Sequence, residues 1–328
     1  MNHFITRNRN FWLKQLNIQL YDVSLRDGIQ ALAVNQVSTE QKKEWYHQIM
    51  KTHSPAKLEV GSFSSLKVFP IMADTPEMVR FSKTMIREIY SCHLKPPAKT
   101  LVLVPNKLRL QNALESQPDG VSFITSVSEA FQQKNTHKTL QEAKRDILEM
   151  SRTVKSRSPL TYVKLYVSCI NECPLEGKIE DERIAAELVS YSLMDIDEIC
   201  LSDTCGTLEY THFQNILNLC LRLGIPVSKI SLHLHVYETK RENIRDIVFY
   251  SLDKGLTKFD ISMLETGGCS TTMGKYVKPN MTYDLFYDIM DKYVEQKKLK
   301  AIQPAPPSSI QLIRNTIFPP AIPPTTEK

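Results

Sequence analysis

The stretch KISLHLHV, residues 229–236, carries the reading of the fold. Its apolar and polar residues alternate with period two, which is the signature of a half-buried strand. In a strand His233 and His235 project to one face, while Leu232, Leu234 and Val236 project to the other. The leucine face suits packing against helices; the histidine face must look into a different environment. Working outward, a helical pattern follows over 238–254 and a second short strand over 258–262 (KFDIS). Upstream lie the strand 198–202 (EICLS) and an amphipathic segment over 180–194, with Glu180, Asp181 and Glu182 in its first turn. The alternation continues toward the N-terminus, with strands at 18–25 (IQLYDVSL), 56–60 (AKLEV), 99–104 (KTLVLV), 120–124 (GVSFI) and 160–167 (LTYVKLYV), and a helix at 139–155. Eight strand and helix alternations in about 280 residues match a (β/α)8 TIM barrel. A doubly wound sheet more often shows fewer strands and a glycine-rich first turn.

Composition narrows the function classes. The chain has 328 residues, 42% hydrophobic and 23% charged, which is a globular balance. Its 41 basic and 36 acidic side chains give 41 − 36 = +5, too small and scattered for a nucleic-acid footprint. Only ten residues are glycine, there is no G-x-G-x-x-G, and the nearest approach to a phosphate loop, Gly268 to Gly274-Lys275, is one residue too long and ends in Tyr276. Half of those glycines (Gly28, Gly206, Gly267, Gly268 and Gly274) fall at proposed strand-end turns. No stretch reaches the ~18 apolar residues of a membrane span. The seven cysteines, odd in number and without a C-x-x-C, suit reduced thiols and a cytoplasmic setting. Arg7, Arg9 and Lys14 precede the first acidic residue, Asp22; this faintly resembles a mitochondrial presequence, but a basic N-terminal arm over 1–15 is the preferred reading. The barrel is assigned to 16–297. A tail over 298–328 follows, in which seven of the 18 prolines crowd into the last 25 residues and preclude helix or sheet.

Catalytic residues of such a barrel belong at the C-terminal ends of its strands. Reactive side chains gather there: Arg26-Asp27 after strand 1, Glu59 on strand 2, Asp203 after strand 6, His233 and His235 on strand 7, and Cys269 and Asn280 after strand 8. Two imidazoles on the inner wall can take adjacent positions on one metal ion, although a pair of hydrogen-bonded structural histidines is an equal alternative. Asp27 and Asn280 can add oxygen ligands, because strands 1, 8 and 7 are neighbours in a closed barrel. A set of two nitrogens and two oxygens with open positions favours Mg²⁺ or Mn²⁺, with Zn²⁺ as the borderline choice. Arg26 beside a metal ligand suits stabilisation of an oxyanion or enolate. Glu59, flanked by Leu58 and Val60, should face the barrel interior, where Arg26 is the obvious partner. Asp203 either faces the mouth or caps the following helix. Cys269 follows two glycines, on a loop that lets a thiol reach substrate as acid or base.

Taken in order and spacing, RDGIQ (26–30), LEVGSFSSLKVFPIMAD (58–74), VPN (104–106), SEAFQQKN (128–135), VSCINECPLEGKI (167–179), LSDTCGTL (201–208), HLH (233–235) and GGC (267–269) resemble the hydroxymethylglutaryl-CoA lyase-like branch of the pyruvate carboxyltransferase, or DRE-TIM metallolyase, superfamily. The likeness spans roughly residues 16 to 296. It implies Asp27, His233, His235 and Asn280 as ligands of a divalent cation. It implies Arg26 as the group that polarises the substrate carbonyl and stabilises the enolate, and Glu59 and Asp203 as residues that orient water and the substrate hydroxyl. It further implies that Cys269 takes part in proton transfer and that Asn135 contacts substrate. The implied reaction is a retro-Claisen cleavage of a 3-hydroxy-acyl-CoA to an acetyl-CoA enolate and a 3-oxo acid.

The chain departs from the family pattern in three places. Val236 stands where the family has Asp, Glu265-Thr266-Gly267-Gly268-Cys269-Ser270-Thr271-Thr272 replaces a GLGGCPYA-type loop, and Pro279-Asn280 replaces Gly-Asn. These changes leave the acyl group open, with an acyl-CoA or a 2-oxo acid as substrate. A condensing acyltransferase of the isopropylmalate or homocitrate synthase type is the alternative enzyme, although its usual regulatory region is larger than a tail of about 30 residues. A degenerate barrel acting as a binding protein is the non-enzymatic alternative. Barrels of this kind often associate, so a homodimer is one option; no nucleic-acid or membrane partner is expected.

Overall fold

The structure is a computed structural model that describes residues 11–90, 98–268 and 279–302. The strands in chain order are β1 (Gln19–Asp22), β2 (Lys57–Ser62), β3 (Lys99–Leu103), β4 (Gly120–Ser126), β5 (Tyr162–Ser168), β6 (Glu172–Cys173), β7 (Gly177–Lys178), β8 (Glu198–Ser202), β9 (Ile230–His233) and β10 (Lys258–Ile261). Eight of them close into a parallel barrel in the order β1-β10-β9-β8-β5-β4-β3-β2, and β6 and β7 form a small antiparallel hairpin after β5. Closure is made where Leu20 registers with Phe259 and Asp22 with Ile261. The expected TIM barrel is therefore the observed fold.

The helices are α1 (Thr39–Thr52), α2 (Thr75–Tyr90), α3 (Lys107–Glu115), α4 (Glu129–Thr136), α5 (Leu140–Arg157), α6 (Asp181–Ser192), α7 (Tyr210–Arg222), α8 (Arg241–Asp253) and α9 (Tyr283–Ile302). Local chemistry starts several of them. Ser38, Asn106 and Ser128 each accept a backbone N–H of the first turn, and Thr139 with Glu142 forms a reciprocal capping box. The chain divides into a unit of Met1–Ile289, which holds the whole barrel, and a unit of Met290–Lys328, whose described part is helical. Most of the expected N-terminal arm and Pro-rich tail lies outside the described residues; residues 298–302, expected in the tail, instead continue α9, because the first tail proline is Pro304.

Each barrel strand sends alternate residues outward under the helices, and these are aliphatic or aromatic: Leu58, Val60, Val121, Phe123, Leu165, Val167, Leu232 and Phe259 are all buried. The inward set is mixed. Tyr21, Val23, Leu101, Leu103, Tyr166 and Cys200 form an apolar cluster. Charged residues share the same space: Lys164 Nζ on β5 stands 3.7 Å from the ring centre of Tyr21 on β1, a contact that crosses the lumen because those strands are not neighbours.

Two strands end earlier than their sequence pattern implies. β1 stops at Asp22 because its Oδ1 accepts the Ser24 N–H (2.8 Å), turning the chain into a wide turn closed by Gly28 N–H donating to the Val23 carbonyl at 3.1 Å. That turn, Ser24–Gly28, carries Arg26 and Asp27. β9 stops at His233, beyond which the chain pairs with the segment after β10: Val236 N–H donates to Pro279 O (2.7 Å) and Met281 N–H to Leu234 O (3.2 Å). His235 and Asn280 thus face each other across an isolated antiparallel bridge.

Candidate active site

Arg26 and Asp27 are buried despite their charge, so each must be paired. Arg26 Nε donates to Glu59 Oε2 at 2.5 Å and Nη1 to Asp27 Oδ1 at 2.6 Å. The guanidinium is thereby clamped between two carboxylates, and it lies 4.9 Å from the ring centre of Tyr166. Glu59, fully buried on β2, also accepts the hydroxyls of Tyr21 (3.1 Å) and Tyr166 (3.2 Å). Burial would raise the Asp27 carboxyl, but the Arg26 charge beside it and the other donors around it together outweigh this and hold it well below the usual carboxylate range. Asp27 is an anion prepared to meet a cation.

Around Asp27 the remaining residues converge from three elements. Its Oδ1 accepts Gln30 Nε2 (2.7 Å), and its Oδ2 accepts Asn280 Nδ2 (3.0 Å) and Gly268 N–H (3.1 Å). His233 Nε2 lies 4.0 Å from Asp27 Oδ2, and the two histidine rings stand edge to face at 5.0 Å. One ligand atom from each of Asp27, His233 and His235 falls within 4.8 Å of the others, and all three residues are buried. Among the described residues Asn280 Oδ1 is buried with no hydrogen-bond partner, an acceptor that a cation would satisfy. One carboxylate, two imidazoles and an amide oxygen match the donors a divalent ion takes, so these residues fit such a group.

Other expected residues lie farther from this cluster. Asp203 neither lines the cavity nor caps α7: its Oδ1 accepts the N–H groups of Gly206 (3.0 Å) and Thr207 (3.2 Å), and its Oδ2 that of Leu208 (3.1 Å). Burial pushes this carboxyl up to about 6 against those three donors. The turn it holds needs Gly206, at φ +70° and so close to Tyr237 that a Cβ would lie 2.6 Å from Cε2 of that ring. Asn135, on α4, lines the cavity. Cys269 lies outside the described residues.

The cavity above the cluster measures about 510 Å³. Arg26, Asp27, His233 and His235 are on its wall, and Lys134, His137 and Lys138 are at the α4 side. Sequence reading missed Gln30 and Tyr166 in this cavity, and Lys164 and Asp260 beneath it. The signal for the last three was available: Lys164, Tyr166 and Asp260 sit at inward positions of β5 and β10, where a polar side chain demands a partner.

The HMGL-like family model matches residues 17–239, from the first strand past the histidine pair. A hydroxymethylglutaryl-CoA lyase of Bacillus subtilis is 27% identical over 257 residues, spanning 78% of this chain and 80% of that protein. Among solved structures, an HMG-CoA lyase from Brucella melitensis superposes with a TM-score of 0.70 at 23% identity, covering 85% of this chain and 91% of that one. An HMG-CoA lyase from Acinetobacter baumannii in complex with coenzyme A and 3-methylmalate gives a TM-score of 0.68 at 22% identity, covering 87% and 85%. The structural likenesses bear on the barrel itself, and the family match takes in Arg26, Asp27, Glu59, His233 and His235. By that match, which runs through most of the barrel, the chain belongs to the HMGL-like family.

Proposed function

We propose that this protein is a divalent-metal-dependent carbon–carbon lyase, cleaving a 3-hydroxy-acyl-CoA of the hydroxymethylglutaryl type to an acetyl-CoA enolate and a 3-oxo acid. The observation that carries the reading is the convergence of Asp27, His233, His235 and the buried Asn280 oxygen beside the Arg26–Glu59 pair, with Arg26, Asp27, His233 and His235 on the wall of one cavity. When bound, a divalent ion such as Mg²⁺ or Mn²⁺ supplies Lewis acidity that lowers the pKa of a substrate hydroxyl and polarises the acyl oxygen.

The chain's own residues supply the rest. Glu59 and Asp27 hold the plane of the Arg26 guanidinium, so its charge is in place before an enolate oxygen develops negative charge, without reorganisation at that moment. Glu59 acts from behind Arg26. Asp203 shapes the turn that brings Thr204 to the cavity wall. Return of a proton to the enolate carbon is assigned to Cys269, whose predecessor Gly268 is tied to the site by its N–H to Asp27 and by its carbonyl to Gln30 Nε2 (3.0 Å). Asn135, with Lys134 and Lys138 beside it, suits the polar and anionic part of an acyl-CoA. A cytoplasmic setting accords with five buried cysteines that form no disulfide among the described residues.

The test is metal analysis of the purified protein, followed by incubation with hydroxymethylglutaryl-CoA and Mn²⁺ and a coupled assay for acetoacetate. Expected are one bound divalent ion per chain, acetoacetate release, and loss of both in His233→Ala. A protein without stoichiometric metal, or a His233→Ala variant with full metal content and activity, would refute the site; metal without acetoacetate would refute the named substrate.

A further inference from the structure

Beneath the site the barrel interior holds a buried chain of alternating charges that none of the roles above uses. Phe259 registers with Leu232 across β10 and β9, which sets Asp260 level with His233. Asp260, 2% exposed, accepts from His233 Nδ1 at 3.3 Å through Oδ2, the same oxygen that the Cys200 thiol approaches at 3.6 Å. Its Oδ1 forms an ion pair with Lys164, which has no exposed surface. Lys164 in turn pairs with Glu198 Oε1 at 3.1 Å, and Glu198 Oε2 accepts from Lys57 Nζ (3.2 Å) and the Tyr162 hydroxyl (2.7 Å).

We propose that Asp260, paired with Lys164, is a positioning residue for His233, fixing its imidazole with the proton on Nδ1 and the Nε2 lone pair toward Asp27. The inference rests on the metal-site reading above and deepens it. A carboxylate only accepts, so the ring nitrogen that faces it must carry the hydrogen. In a neutral imidazole the other nitrogen is then the bare one, and here that nitrogen is Nε2, the one directed at Asp27 Oδ2. A carboxylate this deep would be costly alone; the Lys164 pair compensates it and fixes its orientation. Outer carboxylates of this kind orient metal-binding histidines, and their loss typically weakens metal binding by about 10- to 100-fold.

The experiment uses the full-length chain and Mn²⁺. Mn²⁺ affinity is measured by titration calorimetry for wild type, Asp260→Asn, Asp260→Asn with Lys164→Met, and Glu198→Gln. Long-range ¹H–¹⁵N spectra of the metal-free wild type and variants, with His233 assigned through His233→Ala, report which ring nitrogen is protonated. Asp260→Asn should bind Mn²⁺ roughly 10- to 100-fold more weakly and lose the pure Nδ1–H signature. The double variant, which leaves no unpaired lysine, should do the same with a melting temperature nearer wild type. Glu198→Gln breaks the same network one pair farther from the ring, so it should melt earlier yet bind Mn²⁺ within about threefold of wild type. Wild-type-like affinity in a folded Asp260 variant, equal weakening in Glu198→Gln, or an Nε2–H tautomer in the wild type would each overturn the assignment alone. A wild type that binds no stoichiometric Mn²⁺ would overturn the metal-site reading and this assignment with it. If neither Asp260 variant folds, the wild-type tautomer decides.

Discussion

Arg26→Lys keeps the positive charge and removes only the geometry of the guanidinium. In the wild type, Nε and Nη1 reach two different carboxylates, Glu59 at 2.5 Å and Asp27 at 2.6 Å, a span one ammonium on a shorter stem cannot bridge. One charge-assisted hydrogen bond should be lost, at a cost of about 1.5–3 kcal/mol in stability. At ~2–4 °C per kcal/mol the melting temperature should fall by roughly 3–12 °C. The catalytic loss should be larger, because a preorganised donor at the enolate is removed: about 10²- to 10³-fold in kcat. KM should change little, since Arg26 is assigned to charge that develops after binding. Arg26→Met is the comparator. It leaves Glu59 buried with only the Tyr21 and Tyr166 hydroxyls, so its stability loss should approach the ~3–5 kcal/mol of a broken buried pair. The assay is steady-state acetoacetate release with saturating Mn²⁺, alongside thermal melts. Arg26→Lys retaining kcat within threefold, with an unchanged melting temperature, would show that the clamp does not serve the reaction.

Three further outcomes follow from the same geometry. Chelation should abolish turnover and lower the melting temperature, and Mn²⁺ at ~100 times its dissociation constant should restore about 2.7 kcal/mol of apparent stability in the wild type and none in His235→Ala, read by calorimetry. Gly267→Ala places a Cβ over Asn280 Nδ2 and 2.7 Å from Asp27 Oδ2, so it should weaken Mn²⁺ binding by ~10-fold or more and, by displacing a buried hydrogen-bonded amide, also lower the melt in chelator. Burial pushes the Asp22 carboxyl from 3.8 up to about 6 against donors from Ser24 and Tyr283. Between those values the folded chain holds more proton than the unfolded one, so this group's contribution to stability falls as pH rises from about 4 to 6. Urea midpoints of Asp22→Asn across that window should lack this downward component; an identical pH slope in both proteins would contradict it.

Much of this molecule is legible in one dimension. The period of two in KISLHLHV and seven other runs, separated by helical patterns, determines a closed barrel, because a half-polar strand repeated eight times between helices has few other ways to bury its aliphatic side. The same alternation turns Glu59 inward, and strand order alone makes Asp27, the histidines and Asn280 neighbours. What sequence could not decide depended on where strands stop and which partners long-range folding brings. His235 leaves the β9 ladder and meets Asn280 across a backbone bridge, which no local pattern encodes. Asp203, equally plausible as a site carboxylate, is committed to three backbone N–H groups of its own turn. Lys164 and Asp260 are 96 residues apart, and each reads alone as a charge in an apolar strand; only closure of the barrel pairs them beneath His233. Periodicity reports the face a residue occupies, a local property of the backbone. Partnership between buried charges is settled by a low-dielectric interior that accepts them only in pairs, and that interior exists only once the strands have closed around it.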